Sequence, residues 1–344
     1  MGGSAQTLTR IRLERFTAFG RLDLELTSGI NVFIGANGTG KTHLLKVAYA
    51  ACDAAKTGMS VADKLTRIFL PSGRAIGRLV KRQQGSVRGA VDVWRGDRKL
   101  RVSFSNHATN SAQAAVTGSA RWSEAPVESV FIPVKEMLSN GPGFRSLYAQ
   151  RDIHFEEIYA DVLDRAYRPA LRGPAERARK RILNTLQEAV EGKVAVRNEE
   201  FFLRNRHGNL EFTLLAEGMR KLGLLWLLVQ NGTLLNGSVL FWDEPETNLN
   251  PKVFAVVIEI LLQLQRMGVQ VLIATHDYAI LKELELLMQT DDIVRFYTLY
   301  RESDGELTCE AAGLPFDLEH SPIAEAYTSL YDRAVRHSLD RSDR

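Results

Sequence analysis

Several short stretches of this 344-residue chain are apolar at nearly every position rather than at alternate ones. They are INVFI from Ile30, VFI from Val130, VLFW from Val239 and the run VQVLIA from Val269. Side chains alternate between the two faces of a sheet, so an uninterrupted apolar run predicts a strand covered on both sides. Helical periodicity marks HLLKVAYAACDAA from His43, FEEIYADVLDRAY, halted near Pro169, and AERARKRILNTLQEAVEG, closed by Gly192. True alternation appears in AVDVWR and RKLRVSF on either side of Gly96-Asp97, which predicts a hairpin. Toward the end, IVRFYTLYRESDGELTCEAA reads as a second hairpin. SPIAEAYTSLYDRAVRHSL reads as a helix capped by Ser321 with Pro322 at its first position, followed by a frayed tail DRSDR.

Composition adds boundaries. Apolar and charged fractions of 45% and 25% are those of an ordinary soluble globular protein. The most apolar runs, LGLLWLLVQ from Leu222 and FAVVIEILLQL from Phe254, fall short of the roughly 18–20 residues that cross a bilayer, so no membrane association is expected. The opening MGGSAQTLTR has no apolar secretory core, and Gln6 stands where a myristoylation site needs Ser or Thr. Cys52 and Cys309 lack metal-like spacing and read as buried thiols of a cytoplasmic protein. Charge is uneven: Lys64 to Arg101 carries +9 within a net +3, leaving −6 for the rest. That asymmetry hints at a phosphate-bearing partner.

Candidate chemistry starts directly after the first apolar run. GANGTGKT places Gly35, Ala36, Asn37, Gly38, Thr39, Gly40, Lys41 and Thr42 between a strand and a helix opening at His43. Such a loop turns backbone amides onto a β-phosphate, Lys41 brings an ammonium to the β/γ oxygens, and Thr42 offers a hydroxyl to Mg²⁺. The expected cofactors are therefore a nucleoside triphosphate and Mg²⁺. Downstream, the VLFW run ends in Asp243, a candidate metal-shell carboxylate, and Glu244, a candidate base for an attacking water. Adjacent carboxylates also fit a solvated turn; Pro245 and the need of a phosphate loop for such a pair favour the site. His276 follows the next apolar run, either as a turn residue or as a γ-phosphate contact.

Together these residues resemble the ATP-binding-cassette ATPases, and within them the SMC/RecF/OLD branch. DEPETNLN is similar to its Walker B strand and D-loop, with Asn250 where Asp is usual, and His276 matches its switch histidine. LTRIRLERFTAFGRLDLELTSGINVFIGANGTGKTHLL is similar to the N-terminal sheet of that branch. Thr17 stands there where an Arg is usual, which leaves the adenine contact unassigned. The resemblance implies a signature loop at Leu215, Ala216, Glu217, Gly218 and Met219, which in a partner copy caps the γ-phosphate. Ala216 replaces the usual serine. Gly218 implies close backbone approach, and Arg220 and Lys221 read either as positive charge supplied in trans or as a solvated basic turn. Lys135, in SVFIPVKEMLSNGPGF, occupies the Q-loop position without a Gln and equally fits an ordinary turn.

The expected fold is α/β, a P-loop NTPase of ABC/SMC-head type: a mixed sheet with an antiparallel β subdomain and a small helical lobe. The expected organisation is a disordered 1–7, an ATPase core from 8–50 and 211–300, a basic irregular or β insertion at 51–128, a helical lobe at 129–210, and a C-terminal hairpin and helix at 301–344. The resemblance implies a homodimer or higher oligomer that sandwiches ATP. It also implies a separate effector, a nuclease or toxin, as in bacterial anti-phage systems. Two other readings stay open: a DNA-repair ATPase acting directly on DNA, and a transporter ATPase. Arg74, Arg78, Lys81, Arg82 and Arg88 fit a nucleic-acid backbone contact, a solvated face or an acidic protein partner.

Overall fold

The computed structural model describes residues 7–151 and 153–342. Of the expected disordered segment 1–7, residues 1–6 lie outside the described residues, and Thr7 is buried. The chain opens with the hairpin β1 (Arg10–Phe16) and β2 (Phe19–Glu25), then β3 (Ile30–Gly35), which runs into the phosphate loop. Helix α1 (Lys41–Thr57) is stopped by Gly58 in a left-handed cap, and α2 (Val61–Phe69) is capped by Ser60. Strands β4 (Arg88–Arg95), β5 (Arg98–Ser105) and β6 (Ala115–Thr117) precede the short α3 (Ser119–Ser123) and β7 (Ser129–Ile132). Helices α4 (Phe144–Gln150), α5 (Glu157–Ala166) and α6 (Arg177–Ala189) lead to β8 (Lys193–Arg197), β9 (Glu200–Asn205) and β10 (Gly208–Glu211). Then follow α7 (Glu217–Gln230), β11 (Val239–Asp243), α8 (Phe254–Arg266), β12 (Gln270–Ala274), α9 (Tyr278–Leu287), β13 (Val294–Arg301), β14 (Leu307–Ala312) and α10 (Pro322–Ser342). The expected frayed tail is helical through Ser342, and residues 343–344 lie outside the described residues.

The central sheet has the order β14-β13-β3-β12-β11-β7, with five parallel strands and an antiparallel edge at β14. Strands β3, β7, β11 and β12 are buried along their whole length, as their uninterrupted apolar runs require. Alternate residues feed two cores. Val32, Ile132, Trp242 and Ile273 face α7, α8 and α9, whereas Phe33, Phe131, Phe241 and Leu272 face α1, α2 and the antiparallel sheet. That second sheet has the order β2-β1-β4-β5-β6, and a three-stranded sheet β10-β9-β8 completes the helical side.

Two boundaries differ from the sequence reading. Residues 88–105 form the expected hairpin, but β4 pairs with β1, so this segment extends the N-terminal sheet rather than standing apart as an insertion. β7 joins the central sheet beside β11 instead of belonging to the helical lobe, and β13 reaches that sheet as the parallel neighbour of β3. In both cases the deciding pairing is long-range. Beneath α1, a buried ion cluster ties three helices: Lys64 of α2 lies 2.6 Å from Asp53 of α1, 2.7 Å from Asp161 and 3.4 Å from Glu157 of α5. Arg165 closes it on Asp53.

Cys52 and Cys309 are free thiols; Cys52 is buried and Cys309 partly so. Among the described residues no helix is long and apolar enough to cross a membrane.

Candidate nucleotide site

Parallel strands deliver their C-terminal ends to one edge, and here β3, β12 and β11 deliver the phosphate loop, His276 and Asp243-Glu244 side by side. In the loop, Ala36, Asn37 and Gly38 are exposed, and Thr39 folds its hydroxyl onto the Ala36 carbonyl at 2.8 Å. Gly40 has φ +86°, and a Cβ there would sit 2.6 Å from the Phe19 ring, so only glycine fits. α1 begins at Lys41 with no side-chain cap, which leaves the amides of its first turn for an anion. The Lys41 ammonium donates to the carbonyls of Gly35 at 2.7 Å and Ala36 at 3.1 Å. Burial lowers its pKa, opposed by Glu244, Asp243 and Glu246.

Thr42 and Asp243 meet directly: the Thr42 hydroxyl donates to Asp243 Oδ1 at 3.0 Å. Burial pushes the Asp243 carboxyl up to about 6, helped by Glu244 and opposed by Thr42, Lys46 and Lys41. One hydroxyl and one carboxylate side by side are hard oxygen donors that suit Mg²⁺, an ion that completes its shell with phosphate oxygens and water. Among the described residues no group of three or more His, Cys, Asp and Glu side chains is arranged to hold a metal. A divalent ion here depends on a nucleotide for its remaining ligands.

Glu244 adopts φ +48°, a left-handed conformation costly for a side chain of this kind. Its amide donates to the Ala274 carbonyl at 2.8 Å, and Thr247 donates its hydroxyl to Glu244 Oε2 at 3.0 Å. Its other oxygen lies 3.4 Å from Nδ1 of the half-exposed His276.

Other expected site residues stand elsewhere. The His43 ring packs against Phe69 with centroids 5.3 Å apart, and burial lowers its pKa to about 4; its side chain is a neutral packing group. Asn250 accepts from the Lys252 amide at 3.0 Å, capping the turn Pro251–Val253. Leu215 is partly buried beside the core, Ala216 is the exposed N-cap of α7, and Glu217 Oε1 faces the Glu136 amide at 3.4 Å. Gly218 does give close backbone approach, but to its own chain: a Cβ would lie 2.7 Å from the Asn248 carbonyl and 2.9 Å from Leu249.

Arg220 and Lys221 correct the reading of positive charge supplied in trans. Arg220 lies 2.6 Å from the buried carboxylate of Glu136 and donates to the Phe212 and Leu215 carbonyls. Lys221 is fully buried and donates to the Thr247 carbonyl at 2.7 Å. Both are consumed in bracing α7 against its own chain, because buried charges demand partners. Lys135 is exposed. In the basic segment Lys81 pairs with Glu306 at 2.6 Å, while Arg78, Arg82 and Arg88 are exposed.

Two residues at the site escaped the sequence reading. Arg301, at the end of β13, donates to the Gly38 carbonyl at 3.3 Å, a contact that no local motif announces. Glu246 reaches Thr275 and His276; its only signal was a second glutamate just beyond Pro245.

Comparison with known proteins bears on the family and the fold. Residues 97–282, more than half of the chain, match the family described as "AAA domain, putative AbiEii toxin, Type IV TA system". A stretch of 100 residues is 33% identical to the DNA replication and repair protein RecF of Streptococcus suis, strains 05ZYH33 and 98HAH33. It covers 29% of this chain and 26% of those relatives, so the match spans about a quarter of their length. The fold is similar to the SMC head in the crystal structure of that head bound to the C-winged helix domain of ScpA. There the TM-score is 0.54 at 11% identity, over 91% of this chain and 99% of the other. The Smc head with an extended coiled coil, bound to a C-terminal domain of ScpA derived from Pyrococcus furiosus, aligns with TM-score 0.50 at 10% identity, over 95% and 99%.

Proposed function

The chain belongs to the AAA-domain family that its residues 97–282 match, and from that premise we propose that it is an ATPase which closes around ATP as a head-to-tail pair of copies and thereby governs a separate effector. The observation that carries the reading is the convergence of Lys41, Thr42, Asp243, Glu244 and His276 on one sheet edge, with Thr42 and Asp243 already 3.0 Å apart. The first-turn amides of α1 and Lys41 hold the phosphates. Thr42 and Asp243 would hold Mg²⁺, which would supply charge neutralisation to the phosphates. Glu244 accepts the proton of the attacking water, and His276 faces the γ-phosphate. The N-terminal turn of α7, at Ala216 and Glu217, meets the partner copy's nucleotide through backbone amides. Loss of the γ-phosphate contacts loosens the pair, which converts chemistry into movement.

The effector is a nuclease or toxin and the setting anti-phage defence, by analogy with the family description and with ATPases of this resemblance. Magnesium-dependent ATP turnover by the purified chain, abolished in Glu244→Gln, tests the enzymatic core; absence of turnover in the unaltered chain refutes it. Co-purification of the native complex tests for the effector.

A second reading, direct action on DNA, draws on the exposed Arg78, Arg82 and Arg88 and on the partial likeness to RecF. DNA-stimulated turnover that disappears when Arg78, Lys81 and Arg82 are neutralised favours it.

A further inference from the structure

Glu246 is the carboxylate of DEPETNLN for which the proposed reaction has no use. It is buried, with a side chain 6% exposed. Its Oε1 accepts from the Thr275 hydroxyl at 2.7 Å and from the His276 amide at 3.1 Å, and lies 3.6 Å from His276 Nδ1. Its Oε2 is buried with no hydrogen-bond partner. An ionisable side chain held in this way is an expensive means of filling space, since an apolar residue would avoid the desolvation. What it secures is the loop after β12. Glu246 sits in the turn that follows β11, so its two short bonds lock the ends of neighbouring strands to each other. The same turn is anchored from the far side by Lys221 on the Thr247 carbonyl and by Gly218 against Asn248.

We propose that Glu246 is a positioning residue for His276: it fixes the Thr275-His276 backbone so that the imidazole stands beside Glu244 with Nε2 directed to the nucleotide. Carboxylate oxygens of Glu244 and Glu246 lie 3.4 and 3.6 Å from Nδ1, and their charge favours a ring proton on that side. Nε2 is then left for a phosphate oxygen or a water. The inference rests on the ATPase reading for its kinetic consequence, but not for the geometry of the ring.

The test uses the full chain with Glu246→Ala, Glu246→Gln and Thr275→Val. Glutamine keeps an oxygen acceptor at the same place, so Glu246→Gln is expected to retain turnover within about threefold. Glu246→Ala releases the loop, and kcat is expected to fall roughly ten- to hundredfold, as misplaced catalytic groups do, with KM changed less than about twofold. Thr275→Val removes one of the two bonds and should fall between them; it carries the comparison with Glu246→Gln should Glu246→Ala not fold. Nitrogen-15 spectra of the histidine rings should show His276 with its proton on Nδ1 in the unaltered chain, and a mixture of tautomers in Glu246→Ala. Turnover of Glu246→Ala equal to that of the unaltered chain overturns the proposal, as does an Nε2-H tautomer in the latter. Glu246→Gln as impaired as Glu246→Ala also overturns it. If the unaltered chain does not hydrolyse ATP, the ATPase reading fails instead, and the ring spectra still decide the role of Glu246.

Discussion

Thr42 on the first turn of α1 and Asp243 at the tip of β11 share a hydrogen bond of 3.0 Å, although most of the chain separates them. The bond places the hydroxyl and the carboxylate where one hard cation would touch both. Thr42→Ser, which keeps the hydroxyl, should retain magnesium-stimulated turnover, whereas the near-isosteric Thr42→Val should lose at least tenfold and need more magnesium. A magnesium titration of ATP hydrolysis decides it, and equal curves for the two variants would count against the assigned metal position.

In the proposed cycle Lys41 and Glu244 act at different stages. Lys41 donates to the loop's own carbonyls, which phosphate oxygens would replace in that cycle. Glu244→Gln should therefore accumulate as an ATP-bound pair, and Lys41→Ala should stay unpaired with ATP. Light scattering with ATP and magnesium separates the two; identical masses would contradict an ATP sandwich.

Arg220 is braced against Glu136, whose side chain is fully buried. Arg220→Ala strands that carboxylate and should destabilise the chain by about 3 kcal/mol, the usual cost of breaking a buried pair. An arginine acting on a partner's phosphate would behave otherwise, leaving the denaturant midpoint unchanged and abolishing turnover only when mixed with an intact copy. Denaturant melts beside mixing assays distinguish the roles.

Gly218 gives the turn after β11 room to pack. Gly218→Ala drives a methyl group into the Asn248 carbonyl and Leu249, so the D-loop must shift. ATP binding should persist within a few-fold while turnover falls at least tenfold. Should kcat be unaltered, the contact has no bearing on the site.

The ion cluster under α1 predicts a pH effect with a definite sign. Burial pushes Asp161 up to about 6, with Asp53 adding and Lys64 opposing. Asp53, despite its own burial, is held below the usual carboxylate range by Arg165 and Lys64. A raised carboxyl contributes stability that is complete below its unfolded pKa near 4 and lost as pH rises through about 6. Asp161→Asn escapes that loss. Relative to the unaltered chain it should gain stability between pH 4 and pH 7, on the order of 2 kcal/mol, read from denaturant midpoints across that range. A flat or falling difference would refute the assignment.

The sequence disclosed what is local. The phosphate loop, the paired carboxylates and the histidine after β12 each sit at the end of an apolar run. Long-range pairing was hidden. Nothing in AVDVWR says that β4 will lie against β1, and nothing in SVFI says that β7 will join β11. Side-chain destinations were hidden for a related reason. Arg220 and Lys221 look like free charge in a linear reading, because Glu136 and the Thr247 carbonyl, which capture them, come from other parts of the chain. His43 looked like part of the loop until Phe69 of α2 claimed its ring.

Strand β3 lies between β12 and β13, so both of its hydrogen-bonding neighbours come from the far end of the chain. During translation the phosphate loop leaves the ribosome long before either partner exists. At roughly 5–20 residues per second the wait is on the order of tens of seconds. Throughout it a largely apolar strand, polar only at Asn31, has both edges open, a state that invites mispairing between nascent chains. Completion of the candidate nucleotide pocket is thus among the last events of biogenesis, and a chain interrupted before β12 would have neither neighbour for β3.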